Sequence, residues 1–97
     1  MRSLNAYYLK IDFLKIILRS IDMEKLLELL KGIKEDIDFE NCITLVDDGY
    51  IDSFDILQII STLNDEYNIS IPAHEIIPAN FNSAQGLLDM VCRLQDE

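Results

Sequence analysis

Tryptophan is absent from this chain, and glycine, proline, cysteine and histidine are scarce: three, two, two and one. Each shortage removes a class of function. Three glycines do not make a glycine-rich phosphate loop. Cys42 and Cys92 lie far apart, with no CxxC pair and no histidine spacing suited to zinc. Both are expected to be reduced thiols. The single His74 leaves the serines without the neighbouring base that nucleophilic catalysis needs. Positive charge is also short. Eight Lys and Arg face 18 Asp and Glu, for a net charge of −10. That balance argues against nucleic acid, which needs a basic surface, and favours basic protein partners met through salt-sensitive encounters. No run of eighteen apolar residues is present, so no membrane-spanning helix is expected.

What the chain does have is apolar residues, 49% of its 97. With few aromatics, these predict one domain around a small core of Ile and Leu. Charge divides the chain at Met23. Residues 1–22 carry Arg2, Lys10, Lys15 and Arg19 against Asp12 and Asp22, a net of +2, which leaves −12 for residues 23–97. Lys10, Asp12 and Lys15 break the apolar region of this first segment, so it does not read as a signal peptide. Tyr7, Ile11, Leu14, Leu18 and Ile21 could share one helical face, as a basic amphipathic helix or as an extra helix on the core. The preferred reading is an extension, disordered or helical, that the domain over 23–97 does not need.

Spacing predicts a first helix over 23–36, with Leu26, Leu30 and Ile33 as its buried stripe. Glu24 and Glu28 lie in its first half and Lys31 and Lys34 in its second, as the helix dipole prefers. Residues 37–51 read as a long loop pinned to the core by Ile37, Phe39, Ile43, Leu45 and Val46. A second helix runs from Ser53 to Tyr67, with Ile56, Ile59, Ile60, Leu63 and Tyr67 on one face. Asn68 ends it. Pro72 opens a short helical turn through Ile77, and Pro78 breaks it. Asn82 or Ser83 caps a last helix, with Gln85 completing a capping box if Asn82 is the cap. Ala84, Leu87, Leu88, Val91 and Leu94 form its inner face. No strand alternation recurs. The fold class is all-α: a four-helix bundle of three main helices and one short one, with a long loop between the first two.

The stretch Asp47-Asp48-Gly49-Tyr50-Ile51-Asp52-Ser53-Phe54-Asp55 organises the rest. Asp52 occupies the N-cap of the second helix, and Asp55 falls in its first turn, where a negative charge suits the dipole. Ser53 then lies at the mouth of the helix. A serine there is most often a cap or a surface residue. The same stretch partly matches a calcium loop, through Asp48 to Asp52 and Asp55. The first and third ligand positions, however, would be Thr44 and Val46, which leaves no metal site expected.

Asp52-Ser53-Phe54 after Gly49, the apolar helix, Ile69-Ser70-Ile71-Pro72, and Phe81-Asn82-Ser83 before a last helix together resemble the acyl carrier protein family. The similarity spans about residues 23–95. It implies an acyl-carrier bundle with 4′-phosphopantetheine attached to Ser53, flanked by Asp52 and Phe54. The chain would be no enzyme itself. It would present an acyl or aminoacyl thioester in fatty-acid, polyketide or related biosynthesis. Implied partners are a phosphopantetheinyl transferase and acyl-loading and acyl-transfer enzymes with basic surfaces. They would meet a monomeric, cytoplasmic protein at Asp55, Ile56, Asp65 and Glu66, of which the three acids are expected to be exposed beside the cofactor arm. Gln58 and Asn64 stand where fatty-acid carriers usually have Glu, and Phe54 leans towards a D-alanyl or peptidyl carrier. The alternatives of another class are an unmodified helical adaptor and a calcium-binding module.

Overall fold

The computed structural model describes residues 22–96, so the face proposed for residues 7–21 lies outside the described residues. The described residues are all-helical, with four α-helices and no strand. The first, α1, is described over residues 22–33. It is already helical at Asp22, so the charge boundary at Met23 is not where this helix begins. Helix α2 spans Ser53–Tyr67, α3 is a single turn over Pro78–Phe81, and α4 spans Ala84–Gln95. A 3-10 turn, Ala73–Glu75, precedes α3.

Helix α1 stops at residue 33, three residues short of expectation, although the Lys34 N–H still donates to the Leu30 carbonyl. Ile37 and Phe39, two residues apart, are both buried. A helix would place them on opposite sides, so the chain turns to bury both. Ile37, Phe39 and Leu45 pin the loop as expected, and Val46 packs beside them. Ile43 does not: it is 75% exposed, and Ile51 fills the core in its stead. The core gathers Leu26 and Leu30 of α1, Ile59 and Leu63 of α2, Phe81 of α3, and Ala84, Leu87, Leu88, Met90 and Val91 of α4. Ile56, Ile60, Tyr67 and Leu94 pack at its edge, half-buried.

Pro78 opens α3 rather than ending a helix. At the first helical position its missing N–H is no loss and its fixed φ fits. Ser83, not Asn82, caps α4: its Oγ accepts the Gly86 N–H at 3.0 Å. Asn82 is occupied elsewhere. Its Oδ1 accepts the N–H groups of Val46 and Asp47 at 2.9 and 3.0 Å, and its carbonyl accepts that of Leu45. One asparagine therefore fastens the long loop to the α3–α4 corner and replaces backbone partners that an irregular segment cannot find in itself.

Lysines near the two ends of the described α1 reach the two ends of α2. Lys25 lies 5.0 Å from the centre of the Tyr67 ring and 3.6 Å from Glu66, whereas Lys34 meets Asp55 at 2.9 Å. The two helices thus run antiparallel, and the loop between them brings the chain back to Ser53.

Candidate functional site

Ser53 is the first residue of α2 and is exposed. Asp52 is the N-cap, in extended conformation (φ −105°, ψ −176°), and its Oδ1 accepts the Asp55 N–H at 2.9 Å. Asp55 returns the bond, as its Oδ2 accepts the Asp52 N–H at 3.1 Å. This is a capping box built from two aspartates, which satisfies two backbone donors reciprocally. The cap is therefore Asp52, and the Ser53 hydroxyl is not needed for it.

The loop enters this turn through Gly49, whose φ of +74° is left-handed. A Cβ there would meet no atom within 4 Å, so the dihedral angle, not space, selects glycine. The Gly49 N–H donates to Val46 and that of Ile51 to Leu45. With Ile51 buried, the residues just before Ser53 are held from below.

Asp55 is not where a docking charge has to be. It is buried, 9% exposed, against the expectation of an exposed acid. Its position in the first turn points it back at Asp52 and at α1, where the Lys34 Nζ donates to its Oδ2 at 2.9 Å and to the Tyr50 carbonyl at 3.1 Å. The Lys34 hydrogen bond, helped by the Asp52 N–H, holds the Asp55 carboxyl below the usual carboxylate range. Asp55 in turn raises Lys34, against the opposing effect of burial. The calcium-loop match needs Asp55 as a ligand, yet its carboxylate is taken by Lys34 and the cap. Among the described residues no three His, Cys, Asp or Glu side chains converge as a metal-ligand group.

The other site residues fall as follows. Phe54 is 70% exposed beside the serine, whereas Ile56 is half-buried on the core side. Asp65 and Glu66 are exposed, but at the far end of α2. Twelve residues at 1.5 Å rise put Asp65 about 18 Å along the axis from Ser53, not beside it. Glu66 also shares Lys25. His74 is exposed in the 3-10 turn.

Two features were not anticipated. Leu57 is 65% exposed, one turn below Phe54 and Ser53. An apolar residue on the polar arc of an amphipathic helix is the signal that could have found it. The second is the Lys34 clamp, for which a pattern read along the chain has no signature. A groove of about 550 Å³ also opens in the α1–α2 loop, lined by Ile37, Cys42, Ile43, Thr44 and Tyr50 with Asp36, Asp38 and Asn41. No helix among the described residues is long and apolar enough to cross a membrane. Compared with known proteins, the chain matches no family model, no curated protein and no solved structure.

Proposed function

We propose that this chain is a carrier protein that takes 4′-phosphopantetheine on Ser53 and catalyses nothing by itself. The observation that carries the reading is the exposed Ser53 at the first position of α2, with the capping duty discharged by Asp52. A hydroxyl placed at a helix mouth, unused by the fold and lacking an adjacent base, suits modification by another enzyme. The transferase would supply base and metal. The serine oxygen would bond to phosphorus of coenzyme A, the bond from that phosphorus to the adenosine bisphosphate would break, and the serine proton would pass to the transferase.

The residues present fit a phosphodiester at this point. The Asp55 N–H is taken by Asp52, which leaves the N–H groups of Ser53 and Phe54, without acceptors inside the helix, and the positive end of the α2 dipole for it. Of the two neighbouring acids, Asp55 is neutralised by Lys34, which reduces repulsion of an incoming anion. Once attached, the group supplies a terminal thiol that carries acyl or aminoacyl cargo as a thioester. Phe54 and Leu57 form an exposed apolar surface beside the attachment point, suited to contact with loading and transfer enzymes.

Intact mass spectrometry after incubation with coenzyme A and a promiscuous phosphopantetheinyl transferase tests this. Wild-type protein should gain one phosphopantetheine and Ser53→Ala none. An unmodified wild type, under conditions that fully modify a control carrier, would return the chain to the class of unmodified helical adaptors.

A further inference from the structure

We infer that Lys34 is a positioning residue for Ser53, acting from the end of α1 to fix the serine in the geometry that the transferase requires; this rests on the carrier reading above. Its Nζ holds two points of the chain, the Tyr50 carbonyl at 3.1 Å and the Asp55 carboxylate at 2.9 Å. Those points bracket Ser53, three residues before it and two after. Asp55 then reaches back to the Asp52 N–H, and Asp52 to that of Asp55. The result is a closed ring from Lys34 through Asp55, Asp52 and Ile51 to Tyr50 and back to Lys34. Ser53 follows Asp52 directly, on the covalent path from Asp52 to Asp55 that the ring spans.

The ring matters because it couples the two halves to each other. The segment before Ser53 is irregular, and the first turn of a helix is where fraying starts. The capping box joins Asp52 to Asp55, and the Gly49 and Ile51 N–H bonds hold the loop on either side of Tyr50, but neither ties the Tyr50 carbonyl to the capping box. Lys34, the residue just after α1, supplies that coupling. It also balances the one buried carboxylate next to the serine, which would otherwise lie uncompensated where an anionic donor must approach. Among residues 23–97 the other cations are Lys25, Lys31 and Arg93. Lys25 and Arg93 are engaged elsewhere, with Glu66 and Glu75.

The test measures modification kinetics of full-length wild type, Lys34→Met and Lys34→Arg at low and high salt. A misplaced reacting group lowers turnover more than affinity, so Lys34→Met should reduce kcat by about ten- to a hundredfold with KM nearly unchanged. The loss should persist at high salt, because the pair is partly buried and weakly screened. Lys34→Arg, which keeps two donors, should recover most of the rate. If Lys34→Met does not fold, the double variant Lys34→Met with Asp55→Asn removes the uncompensated charge while leaving the Tyr50 carbonyl without its Lys34 donor. It should fold and remain slow. Wild-type kcat in either folded variant, or a rise confined to KM that disappears in salt, overturns the inference and makes Lys34 a docking charge or a mere stabiliser. A wild type that is not modified overturns the carrier reading and this inference with it.

Discussion

Burial and an ammonium partner give Asp55 a part in stability that depends on pH. Its folded pKa is lowered, chiefly by Lys34, and that of Glu75 is lowered chiefly by Arg93, with Asn80 adding a bond at 3.0 Å. A carboxylate with a depressed folded pKa binds protons more weakly folded than unfolded. Its contribution is therefore complete above the unfolded values, near 3.8 for Asp and 4.5 for Glu, and is lost as pH falls through the folded values. Urea unfolding of wild type, Asp55→Asn and Glu75→Gln at neutral and acidic pH checks this. Both variants should be less stable than wild type at pH 7, and the gap should narrow in acid. A gap independent of pH would mean that shape and hydrogen bonding, not charge, hold these sites. Half of the Asp55 arrangement was readable, since an Asp three residues after a capping Asp is a local pattern. The other half was not, because Lys34 lies 21 residues away in sequence and only the antiparallel return of the chain brings it near.

At the scale of the element, α2 is the part that the sequence made plainest. Its bounds, its Asp52 cap and its stop at Asn68, left-handed at φ 52°, all follow from residue types with one strong local preference. The segments around it depend on what they pack against. Asn64 accepts the Ile71 N–H at 3.0 Å and so anchors the chain leaving α2. Asn82 anchors the loop entering it, and no local motif distinguishes that use from a cap. Two substitutions separate the faces of α2. Leu63→Ala, at a fully buried position, should cost about 2–5 kcal/mol in equilibrium unfolding. Leu57→Ala, on the exposed side, should stay within roughly 0.5 kcal/mol while slowing modification if the apolar surface contacts the transferase. Equal losses of stability would show Leu57 to be part of the core. In the approach to α2, Gly49→Ala should cost about 1–2 kcal/mol, because alanine is strained at positive φ. Thermal denaturation of that variant, read beside its modification rate, reports how tightly the turn is tied to Ser53.

Over the whole molecule, electrostatics divide the acids into two groups. Asp55 and Glu75 are buried in pairs with Lys34 and Arg93, whereas Asp65 and Glu66 are exposed at the far end of α2. The first group is engaged within the fold. The second can be altered without touching the core, and the net charge of −10 makes long-range steering of a basic partner the effect to expect from it. Reversing both to Lys should lower the association rate of a transferase with a basic surface at low salt. The difference should fade as screening shortens to about 8–10 Å near physiological ionic strength. Lys25 complicates this at one position only. Its contact with Glu66 is 3.6 Å between side chains each 45% exposed, so losing it should cost roughly 0–1 kcal/mol. Single variants separate the two effects: Asp65→Lys should slow association without a stability change, and Glu66→Lys should do both slightly. Stopped-flow association with the transferase across a salt series checks this. Identical rates at low salt for wild type and the double reversal would show that the acids about 18 Å from the serine do not steer, leaving recognition to Asp52, Phe54 and Leu57 around it.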